Sequence, residues 1–289
     1  MSASGNQNQA ARMMGAIVGD TTGSPYEWHN IKHKIPLSEM AVGKAHFTDD
    51  SVMTCAVADG IMNALEALPA DWFRQGGESA REAISGQIVR SLKKFGRAFP
   101  NAGYGASFFR WLLLNDNKPY GSWGNGSAMR VSFAGWAAKS LEEAELLAEI
   151  SAAVTHNHPE GIKGAKAVAG CIYTLRAGGG KEDVKAYAEK YYELSFTLDE
   201  IRSDYVFDVS CQGSVPQAIV AFLTGNDFAD VLSEAVSIGG DSDTIAAIAG
   251  SIAEPLYPIP AELAERVTAR LAPALIRVVE RANTFFENR

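Results

Sequence analysis

The chain has 289 residues, of which 47% are hydrophobic and 21% charged, with a net charge of −8. That is the composition of a folded globular protein with a sizeable core. It offers no basic face for general phosphate-backbone binding, so nucleic acid is an unlikely partner, although net charge does not exclude a small anion in a local pocket. No stretch reaches the ~18 apolar residues of a membrane span, which argues against a membrane partner. Cys55, Cys171 and Cys211 are odd in number and lack CxxC spacing. They indicate neither a disulfide framework nor a thiolate zinc site, and they fit a reducing, cytoplasmic setting.

Residues 1–9 are polar and carry no apolar signal core; they are expected to be a flexible lead-in to one domain spanning 10–289. Between Met14 and Glu27, helical residues give way to a glycine-containing loop (Gly15, Gly19-Asp20, Gly23) that ends in an acid. Apolar residues then recur at three- and four-residue spacing from Met53 through Leu68, the pattern of a buried helical face. Further helices are expected over Leu141–Val154, Gly161–Leu175, Lys181–Leu194, Val215–Leu223 and Ile245–Ile252. Ala261–Phe286 reads as one long or broken helix, with Pro273 at a start or kink. Tyr205–Val209 is the one short strand-like piece. Gly76-Gly77 and Gly178–Gly180 look like turns. About ten helices with no internal boundary predict an all-α, compact orthogonal bundle.

Two acidic clusters carry the chemistry. Thr48-Asp49-Asp50-Ser51 and Asp241-Ser242-Asp243-Thr244 each stand at a helix start. Helix capping explains one such cluster, since Asp, Ser and Thr are favoured there and the helix dipole stabilises acids in the first turn. Two carboxylates plus a Thr hydroxyl in each is more than a cap needs. Gly239-Gly240 lets the backbone turn sharply enough to aim Asp241 and Asp243 at one point. Should the clusters meet, four buried carboxylates require neutralising cations. An all-oxygen donor set favours Mg²⁺, Mn²⁺ or Ca²⁺.

Between them, the Gly121–Arg130 segment (GSWGNGSAMR) feeds a helix and exposes backbone N–H groups suited to phosphate oxygens. Trp123 within it either stacks on a base or fills the core. His156 and His158 flank Asn157 ahead of Pro159, a residue suited to a first helical turn. Glu27 is a candidate general base or a solvated loop acid.

Taken in order, these segments resemble the ADP-ribosylglycohydrolase family. The match runs through Gly15–Asp20 with Glu27, Phe47–Ser51, Gly124–Arg130, Thr155–Pro159 and Gly239–Thr244, covering roughly residues 10 to 255. The resemblance implies an all-α fold with a binuclear metal cleft and two divalent cations, Mg²⁺ or Mn²⁺. It implies Thr48, Asp49, Asp50, Asp241, Asp243 and Thr244 as metal ligands, with Glu27 and Asp243 as catalytic groups. It places Gly121, Ser122, Trp123, Gly124, Asn125, Gly126, Ser127, Met129 and His156 around ADP-ribose. The implied activity is metal-dependent removal of ADP-ribose from a modified protein or small molecule, by cleavage of the C1″ glycosidic bond. The alternative is a catalytically silent ADP-ribose-binding or structural member of the same fold.

Overall fold

A computed structural model describes residues 12–285; the expected flexible lead-in, 1–9, lies outside them. The described residues form sixteen α-helices and no sheet. The Tyr205–Val209 strand expectation reduces to a single antiparallel bridge between Gly124 and Ser210. Val206, Phe207 and Val209 are exposed, so no second strand is there to pair with them.

Most expected helices form within a few residues of their predicted ends. Pro273 starts a separate helix, Pro273–Phe285, rather than kinking a long one. The Lys181 helix stops at Ala188, where Lys190 and Tyr191 donate to carbonyls three residues back and tighten the chain out of the helix. Gly77–Ala98, 22 residues long, escaped the periodicity reading. Polar residues dominate it, and its buried stripe (Ala80, Ile84, Ile88, Leu92, Phe95) holds about one residue per turn.

Two helices at the centre position the site. Every residue of Met14–Gly23 and of Ser242–Ala253 is buried. Both are rich in Gly, Ala and Ile, as befits helices surrounded by protein on all sides. Gly15, Gly19 and Gly23 recur every four residues and so share one face. They sit directly against the backbones of Gly250, Ala246 and Ser242-Asp243 respectively. Ascending numbers on one helix meet descending numbers on the other, so the pair is antiparallel. A Cβ at any of the three positions would overlap main-chain atoms that cannot move aside. The absent side chains set the backbone separation, and with it the approach of Asp20 to Asp243. No helix of the described residues is long and apolar enough to cross a membrane.

Candidate functional site

The two acidic clusters meet. Carboxylate oxygens of Asp20, Asp50 and Asp243 lie within 4.8 Å of one another, as do those of Glu27, Asp241 and Asp243. Asp243 belongs to both triads. Asp49 adjoins them: its carboxyl, like that of Asp50, is held well above the usual range by burial and then by Asp243.

The capping reading holds for one cluster and fails for the other. Thr48 is a true N-cap, accepting from Asp50 N at 3.2 Å, with the helix Asp49–Ala67 following it. Asp241 occupies the N-cap position of Ser242–Ala253 but makes no cap hydrogen bond. Its Oδ2 instead accepts from Asn125 Nδ2 at 2.6 Å. Gly239 and Gly240, at φ 67° and 70°, make the left-handed turn that delivers Asp241.

Asp20 is the acid that spacing did not single out. Its Oδ1 accepts from Thr48 Oγ1 at 2.7 Å, and its Oδ2 from Thr48 N, Ser51 N and the Ser51 hydroxyl. One buried carboxylate thereby fastens the start of Asp49–Ala67 onto Met14–Gly23. The available signal was an ionisable residue inside an otherwise apolar, glycine-punctuated helix.

The electrostatics are those of an undercompensated anion site. Burial first, and neighbouring carboxylates second, push Asp243 well above the carboxylate range; burial raises Asp241 to about 6. Glu27, half-buried at the loop end, is raised to about 7 by burial and then by Asp243 and Asp20. Asp50 Oδ1 is buried with no hydrogen-bond partner. Thr244 Oγ1 reaches Asp50 Oδ2 at 3.2 Å. An orphaned carboxylate oxygen among repelling carboxylates, with only oxygen ligands at hand, fits a hard divalent cation.

These acids floor a cleft of about 430 Å³, the size of a small-molecule site. Glu27, Asp49, Asp50, Asp241, Asp243 and Thr244 line it, as do Ser122, Gly124, Asn125, Gly126, Met129 and His156. Four expected residues do not. Thr48 is turned onto Asp20. Gly121, at φ 70°, donates its N–H to Asn157 Oδ1. Ser127 is buried and donates to Gly161 O at 2.7 Å. Trp123 neither fills the core nor enters the cleft: it is 55% exposed, edge-on to His158. Sequence reasoning missed Tyr120 and Phe108 on the cleft wall, and Trp28 and Phe207 at its mouth, stacked with ring centres 5.1 Å apart. None of these four lies in a motif, so composition offered no signal for them.

Fold and site together define a helical protein built around a buried carboxylate cluster at the base of a ligand-sized cleft. A family model described as ADP-ribosylglycohydrolase matches residues 6–284, and the chain belongs to that family. Human ADP-ribosylhydrolase ARH3 is 26% identical over 324 aligned positions, covering 85% of this chain and 84% of the relative. ADP-ribosylarginine hydrolase Tri1 of Pseudomonas putida is 25% identical, covering 88% and 72%. A solved structure described as an ADP-ribosylglycohydrolase-related protein complex superposes with a TM-score of 0.64 over 96% of each chain. At 20% identity that likeness is one of fold.

Proposed function

We propose that this protein is a divalent-metal-dependent hydrolase that releases ADP-ribose from a modified acceptor by cleaving its C1″ glycosidic bond. The carrying observation is the pair of carboxylate triads sharing Asp243 on the cleft floor. In this reading Asp49, Asp50, Asp241, Asp243 and Thr244 hold two cations, Mg²⁺ or Mn²⁺. Thr48 fixes the loop by donating to Asp20, and its hydroxyl oxygen keeps a lone pair with which it would join the ligands. Bound there, the cations neutralise the carboxylates and supply Lewis acidity at the reacting end of the ligand.

The chain's own groups do the rest. Glu27, poised near neutrality at the cleft edge, takes or returns the proton moved during hydrolysis, with Asp243 as the other acid placed for it. The carboxylates stabilise positive charge developing at C1″. The Gly124–Gly126 loop, with Ser122, Met129 and His156, borders the remainder of ADP-ribose. The acceptor is an ADP-ribosylated protein or small molecule. A reducing, cytoplasmic setting belongs to the same reading and rests on three buried, unpaired cysteines.

The test is release of ADP-ribose from arginine- and serine-linked substrates, with and without Mg²⁺ or Mn²⁺. Metal-dependent release is expected, lost by at least about 100-fold in Asp243→Asn, since that residue serves both triads. Binding of ADP-ribose with no turnover under any metal would establish the silent-binder alternative. Full activity in both Asp243→Asn and Asp49→Ala would end the metal account.

A further inference from the structure

Arg130 is a buried cation on the cleft wall, 1% exposed and bonded to no carboxylate. A guanidinium only donates hydrogen bonds. Its Nη2 donates to Ser151 O at 3.1 Å and to Thr155 Oγ1 at 2.8 Å. The Thr155 hydroxyl, already accepting from Arg130, keeps one proton to give. Among the described residues its other hydrogen-bond partner is His156 Nδ1, at 2.8 Å. Were the hydroxyl to accept from Nδ1–H as well, its own proton would have no acceptor among the described residues; directed at Nδ1, it makes Nδ1 the unprotonated nitrogen. The ring hydrogen is left on Nε2.

We propose that Arg130 and Thr155 form a hydrogen-bond relay that locks His156 as the Nε2–H tautomer, making it a fixed hydrogen-bond donor into the cleft. The ligand it serves is the ADP-ribose of the preceding section, and to that extent the inference rests on that reading.

Two further observations agree. Burial, and then the Arg130 charge, hold His156 well below the ordinary histidine range, so the ring stays neutral and keeps one donor and one acceptor. The glycines of the cleft loop clear a path for the donor. A Cβ at Gly126 would stand 3.1 Å from Nε2, and one at Gly124 3.6 Å. Neither glycine is among those with positive φ, so it is the missing side chain, not the backbone freedom, that this loop uses. Arg130 and Thr155 are positioning residues: they act on the ligand through His156. The relay also assigns His156 a role that its i, i+2 spacing from His158 left open. With Nδ1 engaged and Nε2 protonated, it offers no lone pair to a cation and no base to the reaction.

The test begins with ¹⁵N spectra of the full chain labelled at histidine, with His156 assigned by its loss in His156→Gln. The expected signature is an unprotonated Nδ1 and a protonated Nε2 that do not titrate through neutral pH. Thr155→Val should then mix the tautomers and weaken ADP-ribose binding about tenfold, the loss of roughly one net hydrogen bond. Thr155→Ser should restore both. A wild-type ring carrying its proton on Nδ1, or protonating near the ordinary value of about 6.5, overturns the proposal whether or not any variant folds. So does an unchanged tautomer in folded Thr155→Val. Should wild type show the expected tautomer and fail to bind ADP-ribose, the functional reading falls and the relay stands.

Discussion

Asn125 gives one Nδ2 hydrogen to Asp241 Oδ2 at 2.6 Å and the other to Ser214 Oγ at 2.9 Å. A single amide thereby ties the cleft loop to the carboxylate cluster and to the helix Cys211–Thr224. Asn125→Ala removes a buried hydrogen bond to a charged group, worth about 1.5–3 kcal/mol. The expected result is a 10- to 100-fold fall in kcat/KM for ADP-ribose release, with Asp241 free to reorient. Kinetics within twofold of wild type would mean that Asp241 is held by something else.

Gly19 faces Ala246 across the central helix pair, with no room for a side chain. Gly19→Ala must push apart the two helices that carry Asp20 and Asp243. Overpacking of this kind costs about 1–3 kcal/mol. A lowered urea midpoint is expected, accompanied by weakened Mn²⁺ binding, because the carboxylate spacing changes together with the backbone. A stability loss with unchanged metal affinity would show that the cluster tolerates helix separation.

Glu254 closes the other end of the same helix pair. Its Oε1 accepts from Met14 N at 3.0 Å, and burial raises its carboxyl to about 8. Unfolded, the same group releases its proton near 4.5. The folded chain therefore binds more protons between these values, and stability falls as pH rises from about 4.5 to about 8. Glu254→Gln removes that contribution while keeping a carbonyl acceptor for Met14. Relative to wild type, the variant should gain on the order of 1–4 kcal/mol between pH 5 and pH 9, measured by urea unfolding at each. A constant difference between the two proteins would mean that Glu254 titrates normally in the fold.

What sequence disclosed was governed by range. Gly239-Gly240 was legible because a left-handed turn leaves a local signature, and Pro273 because it cannot continue a helix. The Asp pairs were legible as donors, but their meeting was not. That depends on Gly15, Gly19 and Gly23 packing against residues more than two hundred positions away. The ordered resemblance to a family supplied the expectation, and the glycine face supplies its physical cause. Asp20 stayed unassigned because its four hydrogen bonds come from a different helix start. Trp123 and Ser127 show the opposite failure. A motif read as a unit hides the fact that neighbouring side chains on one tight loop point away from one another. Trp28 and Phe207, from separate loops, become a pair only in three dimensions.

The antiparallel glycine pairing also sets a schedule. Asp49 and Asp50 leave the ribosome about 190 residues ahead of Asp241 and Asp243. At about 5–20 residues per second, that gap is roughly 10–40 s of synthesis. Throughout that interval the central helix Met14–Gly23 has no partner for its glycine face. The nascent chain thus carries Asp20, Asp49 and Asp50 before Asp243, whose charge helps to raise the carboxyls of Asp49 and Asp50, has been made. The full concentration of negative charge comes into being only once the Ser242–Ala253 helix has been made and packs against Met14–Gly23. A chain stopped before that helix would lack Asp241, Asp243 and the partner of the glycine face, which makes the seating of that helix and the completion of the site one event.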